Sequence, residues 1–271
     1  MTSEQGTDFW ETAVQAAILG GEVILENLGR ILENEVSSKQ ASDFVTRADR
    51  ESENVIVSII REKFPSHSIL AEESHGKDEA GGYRWIVDPL DGTTNFIHRY
   101  PVFSVSIALE FDGDIIMGVI YDPVRDELFI GEKGKGAFLN GEAVSVSGVT
   151  DVKNSLITTG FPFRKKEMID RYLELFRNVF LRVSDLRRAG SAALDLAYLA
   201  CGRCDGFFEI GLGPWDIAAG SIIIREAGGI VTDFGGGQGF LSSGNIIAGN
   251  PSVHSELLKE IKGVFGGIID N

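Results

Sequence analysis

The chain carries two aspartates three positions apart in the run Asp88-Pro-Leu-Asp91-Gly-Thr-Thr-Asn95, which directly follows the apolar residues Trp85-Ile-Val87. The apolar residues predict a buried strand, and the proline and glycine that follow predict a tight turn at its end. From Gly92 onward, backbone N–H groups are available to an anion if a helix begins there. Carboxylates bind hard cations. Placed before an anion cradle, they are what metal-assisted hydrolysis of a phosphate ester requires.

Three further acids, Asp49, Glu72 and Asp216, stand at predicted strand ends or helix starts, where side chains can project into a crevice. Mg²⁺ takes oxygen ligands and keeps several waters, so a few bridging carboxylates suffice for two or three ions. Each acid also has a purely structural interpretation. Asp49 would complete a capping box with Thr46. Glu72 would lie at a solvated strand end, and Asp216 would favour the dipole at a helix start.

Hydrophobic periodicity predicts two helices and a largely antiparallel sheet in the first half of the chain. The helices are expected over residues 8–29 and 46–64, and the first strands over 68–71 and 85–87. Two hairpins should turn at the pairs Asp112-Gly113 and Asn140-Gly141. The remaining predicted strands of this half are 103–111, 115–121, 127–131 and 137–146.

The polar segment 147–154 is the predicted boundary between two halves. Beyond it strands alternate with helices, which predicts a mixed α/β arrangement. The predicted strands are 156–159, 181–183, 207–210, 230–234 and 245–248, and the predicted helices are 167–180, 191–199, 215–227 and 252–264. We therefore expect an α/β chain of layered α+β character. An N-terminal half, 1–147, would carry most metal ligands, and a C-terminal half, 148–271, would complete the substrate pocket, as two domains or one.

The amino-acid composition limits the kinds of partner that are expected. Forty Asp and Glu residues against 25 Lys and Arg give the 271-residue chain a net charge of −15. No basic stripe is present, so nucleic acid is not expected as the main ligand. The acidity would repel a phosphate ester unless bound cations inverted the local field, and it also serves solubility. No apolar run approaches the ~20 residues of a membrane span, and no secretory signal is recognised. A cytoplasmic location is therefore expected.

The cysteines and histidines predict no zinc site. Cys201 and Cys204 are the only two cysteines, in the sequence Cys-Gly-Arg-Cys, and the four histidines match no zinc spacing. A redox pair or half a zinc site would have the same cysteine spacing, but a second pair is lacking. At the end of a predicted helix, thiols pack well as small apolar groups, so we predict a structural role for both.

Six blocks of sequence carry a resemblance to a known family. They are Asp43-Phe-Val-Thr-Arg-Ala-Asp49, His67-Ser-Ile-Leu-Ala-Glu-Glu-Ser74, Asp88-Pro-Leu-Asp-Gly-Thr-Thr-Asn95, Gly190-Ser-Ala-Ala-Leu-Asp195, Gly213-Pro-Trp-Asp-Ile-Ala-Ala-Gly220 and Glu226-Ala-Gly-Gly229. In order and over nearly the whole chain, they resemble the inositol monophosphatase family. The segment 188–216 is most similar to its bacterial inositol-1-monophosphatase branch. The resemblance implies the sugar-phosphatase fold, with alternating layers of helices and sheets, and commonly a homodimer.

The same resemblance implies the metal ligands. Glu72, Asp88 and the Leu90 carbonyl would hold a first Mg²⁺. Asp88, Asp91 and Asp216 would hold a second. A weaker third ion would share Glu72 through water.

It also implies the catalytic and substrate-binding residues. Thr93 and Asp49 would orient and deprotonate the attacking water, with Glu72 as a further catalytic residue. The lysine that the family has before Asp49 is matched only approximately by Lys39, because the spacing differs by one residue. The implied substrate-binding positions are Asp91, Gly92, Thr93, Gly190, Ser191, Ala192, Glu209 and Asp216.

The implied activity is Mg²⁺-dependent release of phosphate from inositol-1-phosphate, with inhibition by lithium. The same scaffold serves fructose-1,6-bisphosphatase, nucleotide 3′-phosphatase and histidinol-phosphatase activities. Glu209 is consistent with binding polyol hydroxyls and favours the inositol ester, although dual activity on the fructose ester stays open. A role of another class is implied by bacterial relatives that act with transcription antitermination complexes. The basic residues Arg182, Arg187 and Arg188 could contact such a partner, or form a solvated or dimer-interface patch.

Overall fold

The computed structural model describes residues 3–30, 36–40, 43–74 and 81–266, with the backbone alone for residues 3–7, 38–40 and 43. The helices of the first half are α1 Ser3–Asn27, α2 Arg47–Lys63 and α3 Thr93–Ile97. Its strands are β1 Ser37–Gln40, β2 Asp43–Val45, β3 Ser68–Ala71, β4 Tyr83–Asp91, β5 Ser104–Phe111, β6 Asp114–Asp122, β7 Glu127–Glu132, β8 Gly136–Leu139 and β9 Glu142–Val144.

Strands and helices alternate in the second half. The strands are β10 Leu156–Thr159, β11 Asp185–Arg187, β12 Gly206–Glu209, β13 Ile230–Thr232 and β14 Ile246–Gly249. The helices are α4 Ile169–Phe180, α5 Ala192–Ala200, α6 Pro214–Glu226, α7 Phe240–Ser243 and α8 Pro251–Phe265. Within the described ranges, no helix is both long enough and apolar enough to span a bilayer.

The first sheet has the order β3-β4-β5-β6-β7-β8-β9, in which β3 and β4 run parallel and the other neighbours antiparallel. Successive side chains of a strand point to opposite faces. In β4, Trp85 and Val87 accordingly belong to the core formed with α1 and α2, whereas Ile86 belongs to the core formed with α5 and α6. Both faces of this sheet are therefore covered by helices.

The second sheet has the order β11-β10-β12-β14-β13. Phe208 and Ile247 pack against α4 and α8, whereas the neighbouring Phe207 and Ala248 join the core of α5 and α6. The layer of α5 and α6 thus lies between the two sheets. The result is five alternating layers of helix, sheet, helix, sheet and helix, which confirms the predicted fold class.

Helix α6 lies close to the first sheet because two strand glycines leave room for it. A Cβ on Gly118 would lie 2.5 Å from the Ala219 carbonyl oxygen, and one on Gly131 would lie 2.7 Å from the Ile223 Cα. At the N-terminal end of α6, Ser106 Oγ donates to the Trp215 carbonyl at 3.1 Å. These contacts hold the first turn of α6 over the middle of the first sheet.

Most predicted elements agree with the structure, with displacements at two places. The strand predicted over 181–183 is wrong, because Leu181 ends α4 and the strand begins at Asp185. Strand β4 is longer than predicted, since it continues through Asp91 across an irregular register. The short elements β1, β2 and α7 were not predicted. The division of the chain at residue 147 stays a prediction.

Candidate metal centre and substrate pocket

The first two carboxylates are placed by the irregular end of β4. Between Asp88 and Asp91 the register to β5 shifts, which is how both side chains come to face one cavity. The Leu90 N–H donates to Asp88 Oδ1 at 3.0 Å. Gly92 follows at φ 96°, and a Cβ there would lie 2.9 Å from the Val102 carbonyl oxygen, so only glycine fits.

Asp91 is fixed in place by the N-terminus of α5. Ser191 Oγ and the Ala193 N–H donate to Asp91 Oδ2 at 2.5 and 2.8 Å. Ser191 is also the residue that caps α5. Asn95 strengthens the same junction, because its amide donates to the carbonyls of Val102 and Ala189 at 2.7 and 2.9 Å. The aspartate-rich turn is therefore joined directly to the C-terminal half.

Asp216 is contributed by the first turn of α6. The Gly213 N–H donates to Asp216 Oδ2 at 2.6 Å, in a capping arrangement. Arg164 Nη1 lies 3.0 Å from the same oxygen. Asp216 also lines the cavity. The same side chain therefore caps the start of α6 and faces the cavity.

Asp88, Asp91 and Asp216 form a compact group of acceptors. Each offers an oxygen, and these oxygens all lie within 4.8 Å of one another. Burial, followed by repulsion from Glu72, Asp91 and Asp216, holds the pKa of Asp88 well above its usual range. Burial and then repulsion from Asp216 raise the pKa of Asp91 to about 7. Buried like charges of hard oxygen type fit a divalent cation, which would remove this repulsion.

Glu72 reaches the same cavity from the end of β3. Its side chain is largely buried, and Arg164 Nη2 lies 3.7 Å from its Oε1. The Glu72 N–H donates to the Val87 carbonyl at 3.1 Å, which extends the pairing of β3 with β4 beyond Ala71. The alternative interpretation, in which Glu72 is a solvated residue at a strand end, is therefore wrong.

Asp49 and Thr93 form a hydrogen-bonded pair beside the acids. Thr93 Oγ1 lies 2.9 Å from Asp49 Oδ1 and 3.1 Å from the Leu90 carbonyl oxygen. The N–H and hydroxyl of Thr46 donate to Asp49 Oδ2 at 2.8 and 2.6 Å, which completes a capping box. Asp49 is fully buried, whereas Thr93 lines the cavity. Asp49 therefore reaches the cavity through the Thr93 hydroxyl.

A cavity of about 350 Å³ is lined by the acids and by a second polar wall. That wall includes Glu209 and Asp195, both buried carboxyl groups, and Arg188. Burial and then repulsion from Asp216 raise the pKa of Glu209 to about 8. A Cβ on Gly160 would lie 2.0 Å from Glu209 Oε1. Glycine at this position therefore leaves the room that the Glu209 carboxyl group occupies.

The structure brings the sequence-predicted site residues together. Asp49 is reached through Thr93, and the others line one cavity: Glu72, Asp88, Leu90, Asp91, Gly92, Thr93, Gly190, Ser191, Ala192, Glu209 and Asp216. Their assigned roles stay predictions. The Lys39 side chain lies outside the described residues.

Three charged cavity residues were missed: Arg164, Arg188 and Asp195. Asp195 stands within a quoted block, and Arg164 follows β10 in the sequence Phe-Pro-Phe-Arg. A loop arginine beside other basic residues, as Arg164 and Arg188 both are, gives no local signal for a place in a cavity, whereas an aspartate in the first turn of a predicted helix could have been questioned.

The predicted basic cluster is dispersed in the structure. Arg182 forms an ion pair with Glu260, and Arg187 with Asp185 at 2.5 Å. Arg188 instead lines the cavity and lies over the Phe161 ring, 5.5 Å from its centroid. The three guanidinium groups do not form one patch.

The two cysteines lie at the end of α5 and in the loop that follows it, Cys201 half-buried and Cys204 buried. Cys201 ends α5, and both thiols are free of disulfide bonds. Burial raises the pKa of both thiols, most strongly that of Cys204. Both properties favour inert thiols and agree with the predicted structural role.

We expect the metal-free protein to lose stability as the pH rises. The folded-state pKa values of Asp91, about 7, and Glu209, about 8, exceed their ordinary values, so the folded state binds protons more tightly than the unfolded state. This stabilisation is complete below about pH 4 and is lost as the pH rises through 7 and 8. In excess chelator, the thermal midpoint should fall by on the order of 5 °C between pH 5.5 and 8.5. Asp91→Asn should reduce that fall, and a midpoint that rises with pH would contradict it.

Comparisons with known proteins agree with this geometry. A sequence model of the inositol monophosphatase family matches residues 7–264. The Nus factor SuhB of Salmonella typhimurium strain LT2 is 48% identical over 253 residues, covering 92% of this chain and 94% of that protein. The crystal structure of extragenic suppressor protein suhB from Bartonella henselae is similar with a TM-score of 0.89 at 44% identity, covering 94% and 98%. The structure of an inositol monophosphatase from Anabaena is similar with a TM-score of 0.87 at 42% identity, covering 96% and 97%.

Proposed function

The chain belongs to the inositol monophosphatase family, and on that premise we propose that it is a divalent-metal-dependent phosphate monoester hydrolase acting on inositol-1-phosphate. The observation that carries the proposal is the convergence of Asp88, Asp91 and Asp216 from β4 and α6 in one cavity. A pure binding protein has no need of buried, mutually repelling carboxylates. The cytoplasmic location stays a prediction.

The acids would hold two to three Mg²⁺ ions. Glu72, Asp88 and the Leu90 carbonyl would hold the first, and Asp88, Asp91 and Asp216 the second, with a weaker third sharing Glu72 through water. When bound, the ions supply Lewis-acid stabilisation of the negative charge that develops on phosphate and leaving oxygen. The protein itself orients the acids, since backbone and side-chain donors fix one oxygen each of Asp88 and Asp91.

Thr93 and Asp49 would move the proton of the attacking water. The Thr93 hydroxyl donates to Asp49 Oδ1, so its oxygen lone pairs stay available to accept a proton from the cavity. Asp49, held by Thr46, is the acceptor at the end of this relay. Proton transfer by positioned groups is worth roughly 10²- to 10⁴-fold in rate.

The phosphate and the polyol would contact neighbouring parts of the cavity wall. Gly92 and Thr93 begin α3, where the first N–H groups of a helix have no partner within it and suit phosphate oxygens. Gly190, Ala192 and Glu209 line the same cavity, where carboxyl and backbone groups suit ring hydroxyls.

A substrate panel tests the polyol assignment. We expect inositol-1-phosphate to give the highest kcat/KM among esters that include fructose-1,6-bisphosphate, a nucleotide 3′-phosphate and histidinol phosphate. At pH 9, above the Glu209 pKa of about 8, Glu209→Gln should lower kcat/KM for the inositol ester about tenfold, the loss expected for a hydrogen bond to an ionised carboxylate. For p-nitrophenyl phosphate, which lacks a polyol, the change should stay below about threefold. Steady hydrolysis in excess chelator would contradict the metal mechanism, and lithium should inhibit.

We also propose that the protein is a homodimer that associates through the outer face of α4. Ile169, Leu173, Phe176 and Phe180 recur at helical spacing, and Leu173 and Phe180 are 50% and 55% exposed. Contiguous exposed apolar groups of this kind mark interaction surfaces.

A single charge on that face tests the dimer. Leu173→Glu should convert the dimer into a monomer in light scattering, because a buried unpaired carboxylate is costly. Leu25→Glu, at a residue 41% exposed on α1, is the matched control and should stay dimeric. A wild-type monomer would contradict the assignment.

A second candidate function is a role in transcription, supported by the similarity to proteins named Nus factor SuhB. Capture of transcription factors by the wild type and by Asp91→Asn separates the two roles. Capture that survives the loss of catalysis would indicate an independent binding function. The dispersed arginines give this candidate no surface of its own.

A further inference from the structure

Arg164 lines the cavity and contacts two of its acids. Its Nη1 lies 3.0 Å from Asp216 Oδ2 and its Nη2 lies 3.7 Å from Glu72 Oε1. One guanidinium thus joins a carboxylate from the end of β3 to a carboxylate from the first turn of α6. The side chain is 23% exposed, and its head lies over the Phe163 ring, 4.9 Å from the centroid.

Arg164 and a divalent cation can each neutralise the carboxylates of the cavity. Four acids, Glu72, Asp88, Asp91 and Asp216, face one cavity and raise one another's energy when ionised. A guanidinium supplies one positive charge, and it is attached to the chain in a loop after β10. A cation held by Glu72 or Asp216 would lie within a few ångströms of it. Two such charges repel strongly at low local dielectric.

We propose that Arg164 is an exchangeable counterion of the metal centre, which neutralises Glu72 and Asp216 in the metal-free protein and is displaced when divalent cations bind. The inference rests on the proposed metal-dependent function and extends it to the control of metal affinity. Arg164 is a positioning residue in this account, because it acts on the ligands and leaves the substrate to other groups. Mg²⁺ therefore binds more weakly than it would without Arg164, by the free energy needed to break the ion pairs of Arg164 with Glu72 and Asp216.

The test is calorimetric titration of Mg²⁺ into chelator-treated protein, without substrate. Arg164→Gln should bind Mg²⁺ about tenfold more tightly than the wild type, equivalent to about 1.4 kcal/mol. Arg164→Met, whose stem still packs on Phe163, provides a second neutral variant should the first fail to fold. Arg164→Lys keeps the charge and should stay within about threefold of the wild type.

Arg188→Gln is the matched control, because Arg188 lines the same cavity but faces Glu209 and Asp195. It should change Mg²⁺ affinity less than about threefold. If Arg188→Gln tightened Mg²⁺ binding as much as Arg164→Gln, the cause would be the loss of any positive charge near the cavity. That result would overturn the proposed displacement of Arg164 by divalent cations. Unchanged or weaker binding in the neutral Arg164 variants would overturn it as well, and would leave the proposed function standing. A wild type that binds no Mg²⁺ at all would overturn both.

Discussion

Asp91→Asn is expected to lower kcat by at least about 1,000-fold while the protein stays folded. The asparagine keeps the shape, and its carbonyl oxygen can still accept from Ser191 and the Ala193 N–H. What it loses is the charge at the junction of Asp88 and Asp216, where a cation must be held. Loss of one preorganised charge contact in a desolvated site has effects of this order. Phosphate release from inositol-1-phosphate measures it.

The same substitution should leave the metal-free protein as stable as the wild type or more stable. It removes one member of a buried, mutually repelling set, as the raised pKa of Asp91 indicates. The matched control is Glu110→Gln, a buried acid on the neighbouring strand that pairs with Arg84 outside the cavity. Its kcat should stay within about threefold of the wild type. Wild-type activity in folded Asp91→Asn would remove Asp91 from the ligand set.

The sequence allowed the acidic site to be predicted because its parts carry local signals. A buried strand, a proline and a glycine placed Asp88 and Asp91 at an irregular strand end, and the positive φ of Gly92 follows from the same turn. For Asp49 and Asp216, the structural and functional interpretations are not alternatives. With one oxygen each, Asp49 completes a capping box with Thr46, and Asp216 accepts from the N–H of Gly213 at the start of α6. The other oxygen of Asp49 accepts from Thr93.

The remaining features depend on long-range packing. Arg164 joins the cavity because its side chain reaches Asp216 at the start of α6, and Arg188 because it precedes α5 by a short loop. No periodicity in either loop indicates that placement. The edge strand β11 lies four residues beyond its predicted position, because Leu181 and Val183 flank Arg182 in an alternation typical of a strand, yet Leu181 is 65% exposed at the end of α4. Two apolar residues on either side of a charged one, directly after a helix, do not by themselves distinguish the end of the helix from the start of a strand.

Thr93→Val and Asp49→Asn should each lower kcat by about 100-fold, and the double substitution should lower it no further. Valine keeps the shape of threonine but removes the hydroxyl that links the cavity to Asp49. In Asp49→Asn, the amide oxygen can still accept from Thr46, which turns the NH₂ group toward Thr93. The Thr93 hydroxyl can then no longer donate to residue 49. Either change breaks the same proton relay.

Non-additivity in a double-mutant cycle is the readout that a merely structural role would not produce. Groups that act as one unit lose their whole effect with the first substitution. Ser52→Ala is the matched control, because Ser52 Oγ donates to the Pro89 carbonyl at 3.0 Å from the same helix, α2, but outside the cavity. It should change kcat by less than about threefold and combine additively with Asp49→Asn. Independent, multiplicative losses for Thr93→Val and Asp49→Asn would mean that the two residues serve different steps.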